Sequence, residues 1–129
     1  MTLPHNALVL VIDGRKMLFL RNVGNGNMIE LETEAHHERG DGGSDGADSH
    51  QDEDLYAAEA GEQLRMRALS GDFDALAIVA PPRTLGELRK HLHKEVEKRI
   101  VMELAKEMTD RPIPDIAAML MQRVGRISR

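Results

Sequence analysis

The chain has 129 residues and no cysteine, and its 22 acidic and 17 basic residues give a formal net charge of −5 at pH 7. This length provides one domain with a core that needs no disulfide, and the lack of cysteine excludes thiol catalysis and cysteine-ligated zinc. The negative charge disfavours generic nucleic-acid binding, and neither a signal peptide nor an apolar run of roughly 20 residues is present to direct export or span a bilayer.

The first third of the chain predicts three antiparallel strands. Two apolar runs, Ala7 to Ile12 and Met17 to Leu20, flank Asp13-Gly14, a dipeptide that tolerates the positive φ of a tight hairpin turn. Residues 27–34 (NMIELETE) then alternate between two faces, which predicts a third strand with one face exposed to water.

A glycine-rich acidic segment at about residues 35–53 predicts a flexible loop. Residues 35–54 hold seven acids and one arginine, and their glycines match neither the G-x-x-x-x-G-K-[ST] nor the G-x-G-x-x-G phosphate-binding motif. Six side chains could gather around a divalent cation, namely His36, His37, Asp41, Asp45, Asp48 and His50. We favour a solvated loop, because the segment lacks the twelfth-position acid and the flanking helix pair of a calcium loop.

A helix and a buried strand are predicted next. The helix runs from Asp52 to Leu69, with acids in the first turn, where the helix dipole favours them, and Ser70-Gly71 as a stop signal. The strand, Ala75 to Ala80, is ended by two prolines that cannot extend a β-ladder.

The pattern after these prolines is ambiguous. Thr84 and Glu87 have capping-box spacing, which predicts that Thr84 caps a helix. Apolar residues recur every fourth position from Leu88 to Met108, which favours one long helix, yet Ile100 to Leu104 also alternate as in a strand. A last helix is predicted from Pro114 to Gln122, followed by a frayed tail.

One basic region in this acidic chain is the predicted contact surface. Residues 83–99 hold six bases and three acids. Arg83 and Thr84 follow the buried strand with helix amides behind them, which suits an anion, and a capped turn explains the same residues equally well. On a helix, His91 and His93 would point about 200° apart and could not share a metal. The residues predicted to bind a ligand or partner are Arg83, Thr84, Arg89, Lys90, His91 and Lys94.

Asp13 has a catalytic interpretation and a structural one. Nucleases of the ribonuclease H type place a metal-binding carboxylate at the end of the first strand, but such sites need two or three further carboxylates. Because the Asp-Gly turn already explains Asp13, we predict no catalytic residue, no metal and no cofactor.

Three stretches resemble the host attachment family, small proteobacterial proteins described as required for attachment to host cells. They are residues 11–22 (VIDGRKMLFLRN), 79–96 (VAPPRTLGELRKHLHKEV) and 106–116 (KEMTDRPIPDI), and the resemblance extends from Leu3 to about Leu120. That family in turn resembles the middle domain of the class-one translation release factors of archaea and eukaryotes and their bacterial relatives.

The order of elements and the resemblance together imply an α/β fold with one domain over residues 1–129. Its mixed five-stranded sheet begins with three antiparallel strands, is flanked by helices and is similar in layout to ribonuclease H. The resemblance also implies a strand from Ile100 to Lys106, against the helical spacing. Release factors carry Gly-Gly-Gln in the loop before the first long helix, where the glutamine helps water attack peptidyl-tRNA, whereas this chain has Gly42-Gly43-Ser44.

We therefore expect a non-enzymatic, soluble, cytoplasmic interaction module of the host attachment family, which acts indirectly on attachment through an unknown protein partner and does not insert into membranes. Two alternatives stay open: an RNA- or ribosome-associated factor related to release-factor middle domains, and a metal-dependent hydrolase centred on Asp13 or the histidines. Peptide release is rejected, because serine cannot replace the amide of glutamine and a loop with a net charge of about −6 does not suit a cavity of ribosomal RNA.

Overall fold

A computed structural model describes residues 3–38 and 49–127 of the protein. The elements in chain order are β1 (Leu8–Ile12), β2 (Lys16–Asn22), β3 (Leu31–Glu38), α1 (Ser49–Leu69), β4 (Leu76–Ala80), α2 (Pro82–Arg89), α3 (Lys94–Glu97), β5 (Ile100–Ala105) and α4 (Ile113–Ile127). The strands form one sheet in the order β3-β2-β1-β4-β5.

The sheet has an antiparallel half and a parallel half. β2 pairs antiparallel with both β1 and β3, whereas β4 lies parallel to both β1 and β5. The turn between β1 and β2 is closed by Asp13, whose Oδ1 accepts hydrogen bonds of 2.7 Å from the backbone N–H groups of Arg15 and Lys16. The predicted α/β class, the antiparallel start and the parallel crossover are confirmed.

Helices cover both faces of the sheet. On one face, α1, α2 and α3 pack against one set of alternating strand side chains, which includes Leu10, Phe19 and Ile78. On the other face, α4 packs against the remaining set, which includes Val11 and Val79. β1 and β4 are buried on both sides, which explains why their sequences are apolar throughout. None of the helices in the described ranges is long and apolar enough to cross a membrane.

The third strand lies further along the chain than its alternation predicts. Residues 27–30 belong instead to a turn, in which the N–H of Val23 donates to the carbonyl of Glu30 at 2.8 Å. The side chain of Asn25 holds the tip of the turn by accepting hydrogen bonds of 2.8 Å from the N–H groups of Asn27 and Met28. The prediction of a strand over 27–34 was therefore wrong by several residues at each end, because side-chain hydrogen bonds override the alternation.

The boundaries predicted for the acidic loop, about 35–53, also need correction. β3 continues through Glu38 and α1 already begins at Ser49. Residues 39–48, with Gly42-Gly43-Ser44, lie outside the described residues. The predicted flexibility and the proposed cation-binding side chains of this segment, including His36, His37 and His50, fall outside the description as well.

The long helix favoured by the spacing after Leu88 does not form. α2 ends at Arg89, and the chain then makes a turn and the short α3 before entering β5. Val96 packs on the face of the sheet covered by α1, α2 and α3, whereas Leu104 of β5 packs on the face covered by α4. The four-residue spacing therefore joins side chains that lie on opposite faces of the sheet. The strand implied by the resemblance at 100–106 is confirmed as Ile100–Ala105.

The last helix is longer than predicted. α4 begins at Ile113 and continues to Ile127, into residues expected to be frayed. Its buried residues Ile116, Ala117 and Leu120 recur at helical spacing and cover the sheet.

Glycine at position 61 permits the close approach of α1 to the turn after α2. A Cβ atom added at Gly61 would lie 2.6 Å from the carbonyl oxygen of His91 and 3.0 Å from its Cβ. We expect Gly61→Ala to lower the free energy of unfolding by about 1–2 kcal/mol, because the overpacking outweighs the better helix propensity of alanine.

Urea unfolding of Gly61→Ala beside Gly86→Ala tests this expectation. At Gly86, also helical, a Cβ would meet no atom within 4 Å. This second variant should therefore gain about 0.5–1 kcal/mol. If both variants changed the free energy of unfolding in the same direction, the close contact between α1 and the turn after α2 would not exclude a side chain at position 61.

Candidate functional site

The parallel strands β1, β4 and β5 end at the same edge of the sheet, called here the carboxyl edge. The chain leaves β1 at Asp13 toward β2 on one side and leaves β4 at Pro81 toward α2 and then β5 on the other side. In open α/β sheets, ligands bind at the carboxyl ends of two neighbouring strands from which the chain continues to opposite sides of the sheet. Two contacts tie the turn after β1 to the loop after β5: Thr109 Oγ1 donates to Asp13 Oδ2 at 2.6 Å, and Lys16 pairs with Asp110.

The first turn of α2 stands at this edge without a side-chain cap. Its N-cap residue is Pro81, in an extended conformation, and Pro82 occupies the first helical position. Thr84 therefore lies inside the helix, and the predicted capping box of Thr84 and Glu87 is wrong. The N–H of Leu85 bonds to the carbonyl of Pro81 at 2.8 Å, the first turn contains no acidic residue, and the N-cap proline offers no side-chain hydrogen bond.

Thr84 is more buried than a capping residue would be. It is only 8% exposed and lies on the buried side of α2 with Leu85 and Leu88. Its hydroxyl group has no hydrogen-bond partner among the described residues, whereas the neighbouring Arg83 is exposed and does have an interaction.

The two central cations of the predicted contact surface are paired with carboxylates. The guanidinium of Arg89 donates to Glu103 Oε1 from Nη2 at 2.6 Å and from Nε at 3.2 Å, and Lys90 Nζ donates to Glu87 Oε2 at 3.2 Å. Glu103 lies on β5, outside the basic stretch, and adds an acid to the surface. The surface is consequently less positive than the sequence between positions 83 and 99 suggests.

The two histidines of the basic stretch do not lie on one helix as assumed from the sequence. His91 is exposed in the turn after α2. His93 is the N-cap of α3, and its Nδ1 accepts a hydrogen bond of 3.0 Å from the N–H of Glu95. Lys94 is exposed and makes no ion pair within residues 3–38 and 49–127.

The end of the basic stretch is also neutralised locally. Arg99 donates to Glu95 Oε1 at 3.0 Å and to the carbonyl of Phe73 at 3.1 Å, and Lys98 lies 3.3 Å from the same carboxylate. Hydrogen bonds from Arg99 and then Lys98 hold the pKa of Glu95 below its ordinary value.

The carboxylate of Asp13 is occupied by structural contacts. One oxygen holds the turn and the other accepts from Thr109. In the part of the chain that the structure describes, no three His, Asp or Glu side chains come together as a metal site would require. These contacts favour the structural interpretation of Asp13.

Three features of this region escaped the sequence interpretation. Glu103 was expected only as part of a strand. Thr109, which lies 96 positions from Asp13 in the sequence and is 6% exposed, was given no role. No local signal links residues so far apart. The burial of Thr84 had one signal, its spacing of four from Leu88, which places both on the same side of a helix.

Two grooves lie away from the predicted contact residues. One, of about 430 Å³, is lined by residues at the end of α1 together with Asp72. The other, of about 260 Å³, is lined by the start of β3 and by α4. Neither contains a residue predicted to bind a ligand.

Two solved structures share this fold. One, described as an archaeal protein, matches with a TM-score of 0.51 and 12% identity over 91% of this chain and 36% of the other. The crystal structure of the archaeal translation termination factor aRF1 matches with a TM-score of 0.57 and 11% identity, over 91% of this chain and 37% of the other. The chain thus spans little more than a third of the length of either protein, and at this identity the likeness shows the fold alone.

A family model describes much of the same region. No curated protein matches the chain. The model of bacterial archaeo-eukaryotic release factor family 12 matches residues 40–120, which is more than half of the chain and runs from the segment before α1 into α4. The chain therefore belongs to bacterial archaeo-eukaryotic release factor family 12.

Proposed function

We propose that the protein is an RNA- or ribosome-associated factor that uses the release-factor fold without catalysing peptide release. Membership of family 12 is the observation that carries this proposal. The fold shared with a translation termination factor supports it, because an RNA-facing scaffold can be retained when the reaction is lost.

The absence of release chemistry rests on the sequence between β3 and α1. The chain has Gly42-Gly43-Ser44 where the resemblance implies Gly-Gly-Gln, and the surrounding acids disfavour entry among RNA phosphates. The protein in this proposal binds and does not catalyse.

The contact with RNA or ribosome is assigned to the α2–α3 surface, defined by Arg83, Thr84, Arg89, Lys90, His91 and Lys94. Lys94 is exposed and without an ion pair in the described ranges, whereas Arg89 and Lys90 must exchange a carboxylate for a phosphate in order to bind. Such an exchange gains little net energy, so the association is weak and sensitive to salt.

Co-sedimentation with ribosomal particles across a salt series tests the proposal. We expect Arg89→Glu with Lys90→Glu to lower the affinity at low salt by about tenfold or more. Each contact with a phosphate of single-stranded RNA contributes about −0.7 to the slope of log affinity against log salt concentration. If both cations make such a contact, the slope of the double variant should be shallower by about 1.4.

A matched pair of variants controls for net charge. Arg111→Glu with Arg123→Glu makes the same change in net charge in α4 and the loop before it, outside the α2–α3 surface, and should leave the association intact. Because charge reversal beside Glu103 and Glu87 adds repulsion, Arg89→Gln with Lys90→Gln provides a milder version. No association of the wild type at low salt contradicts the proposal.

The role in attachment to host cells remains a prediction from the resemblance. The family match and the solved structures lend it no support, and they favour association with RNA or ribosome over that role. A metal-dependent hydrolase receives no support from the contacts of Asp13 either.

A further inference from the structure

The groove of about 430 Å³ at the end of α1, called here the α1 groove, has a volume within the range of small-molecule sites. It is lined by Gln63, Met66, Arg67, Ser70 and Asp72. None of these residues belongs to the α2–α3 surface. The groove is therefore separate from the surface proposed to contact RNA or the ribosome.

The guanidinium of Arg67 is held in one orientation at this groove. Its Cζ lies 4.8 Å from the centroid of the Phe19 ring, which is fully buried. Its Nη1 donates to Glu34 Oε1 and to Asp72 Oδ2, both at 2.9 Å. Hydrogen bonds from a guanidinium lie in its plane, so the two carboxylates hold its edge. Because Arg67 lines the groove, the face turned away from Phe19 provides a flat platform there.

Polar atoms beside this platform have no partner among the described residues. The side-chain amide of Gln63 makes no hydrogen bond within residues 3–38 and 49–127. Asp72 Oδ2 accepts from Arg21 at 2.7 Å and from Arg67 at 2.9 Å, whereas Oδ1 accepts from no group in these ranges. The groove thus offers one donor and two acceptors to a ligand. Met66, whose side chain is 59% exposed, adds an apolar wall.

The charges around the groove do not favour a phosphate. Arg21 and Arg67 share the carboxylates of Glu34 and Asp72, so two positive charges meet two negative ones. The matching ligand is therefore a flat, uncharged ring with polar atoms at its edge. Nucleobases have this chemistry, since they stack on guanidinium planes and use their edges for hydrogen bonds.

We propose that the α1 groove binds a nucleobase, and specifically adenine. The ring stacks on the guanidinium of Arg67 and contacts Met66. Gln63 makes the paired hydrogen bonds that glutamine makes with adenine, accepting from the N6 amino group and donating to N7, and Asp72 Oδ1 accepts the second amino hydrogen. The base belongs either to a free nucleotide or to an unpaired adenine of RNA. The site goes beyond the ribosome association proposed above and stands without it, since adenosine alone probes it.

A titration with adenosine followed by NMR tests the site. The ring current of a stacked base should move the methyl resonance of Met66 in a saturable manner, together with the side-chain amide of Gln63. Gln63→Met removes the amide at similar size, so the adenosine affinity should fall about fivefold to tenfold. Gln122→Met makes the same substitution at an exposed position of α4 and should bind like the wild type.

The flat platform is tested by Arg67→Lys. Lysine keeps the positive charge and loses the plane, so the adenosine affinity should fall about tenfold or more. Arg65→Lys, at the exposed pair with Glu62, should leave it unchanged. If Arg67→Lys disturbs the fold, which thermal unfolding detects, Gln63→Met still decides the matter, because Gln63 takes no part in the ion pairs.

Related ligands report which part of the nucleotide is bound. Inosine has a carbonyl in place of the amino group and should bind about fivefold more weakly than adenosine. Adenosine 5′-monophosphate should bind no tighter than adenosine, because no cation of the groove is left for its phosphate. A short oligoadenylate then separates the sources: the same change of the Met66 resonance at lower concentration identifies an adenine of RNA, and a response to the mononucleoside alone identifies a free nucleotide. Either result supports the site.

The site is overturned if Gln63→Met and Gln122→Met bind adenosine equally, or if the resonances do not change in a saturable manner. Adenosine 5′-monophosphate binding tenfold tighter than adenosine would overturn it too, since the groove would then recognise a phosphate. Co-sedimentation keeps the two proposals apart. Adenosine binding by a wild type that does not associate with ribosomal particles removes the proposed function and leaves the site standing, and the reverse result removes the site alone.

Discussion

Asn22→Ala is expected to lower the free energy of unfolding by about 3–5 kcal/mol, because it leaves several buried backbone groups without a partner at about 1–3 kcal/mol each. Asn22 is fully buried at the end of β2. Its side chain joins three chain segments, donating to the carbonyls of Leu3, Pro4 and Asn25 and accepting from the N–H groups of Gly24 and Glu30, at distances of 2.9–3.2 Å. Equilibrium urea unfolding measures the change.

Asn27→Ala is the matched control for this variant. Asn27 is exposed in the same turn, and only its backbone N–H is held there, by Asn25. Its replacement should change the stability by less than about 0.5 kcal/mol. A loss of that small size for Asn22→Ala would mean that water or a rearranged turn satisfies the same backbone groups.

Arg21→Met is expected to lower the free energy of unfolding at neutral pH by about 2–3 kcal/mol, since it removes charge-assisted hydrogen bonds and leaves two carboxylates close together. The Arg21 side chain is 12% exposed. It donates to Glu34 at 2.8 Å and to Asp72 at 2.7 Å, and it also reaches the carbonyls of Asn6 and Asp72. Arg67 contacts the same two carboxylates at 2.9 Å and stacks over the ring of Phe19.

The dependence of stability on pH provides the decisive measurement for Arg21. Hydrogen bonds from Arg21 and then Arg67 hold the pKa of Glu34 below 4.5, and they hold the pKa of Asp72 below 3.8 although burial opposes this. Because both pKa values are lower in the folded state, their contribution is complete well above the unfolded values and is lost as the pH falls through the folded ones. The wild type should lose stability below about pH 4.5, and Arg21→Met should lose less over the same range.

Arg65→Met is the control for this second prediction. Arg65 pairs with Glu62 on the exposed side of α1, three residues away. Exposed pairs contribute little, so this variant should retain both the wild-type stability and its pH dependence. If stability fell with pH in the same way for the wild type and Arg21→Met, the ion pairs of Arg21 with Glu34 and Asp72 would not determine the loss of stability in acid.

Both residues lie far from the candidate site. Arg21 pairs with Leu8 in the hairpin, at the end of the sheet opposite Ile12 and Met17. Asn22→Ala and Arg21→Met should therefore leave association with ribosomal particles through the α2–α3 surface unchanged wherever they remain folded. A parallel loss of stability and of association would indicate that the α2–α3 surface depends on the fold as a whole.

The amino-acid sequence by itself determined the strands whose side chains are buried on both faces and the turn between the first two. Continuous apolar runs identify β1 and β4 because few other arrangements bury them. The hairpin after β1 forms as predicted, but its turn is held by the Asp13 side chain, and Gly14 does not adopt the positive φ on which the prediction relied. These features depend on residues that are neighbours in the sequence, so they can be predicted before the fold is known.

Only the tertiary structure decided what the remaining segments do. The sequence after Leu88 fits a helix as well as it fits a strand. Residues Ile100–Ala105 form a strand because they pair with the free edge of β4. Glu103 neutralises Arg89, and Thr109 meets Asp13, through contacts between distant parts of the chain. Thr84 changes from a predicted cap to a buried hydroxyl because α2 begins three residues earlier, at a proline that needs no N–H partner. Charge and hydrogen bonding at the surface depend on which segments the sheet brings together, and no periodicity along the chain encodes that.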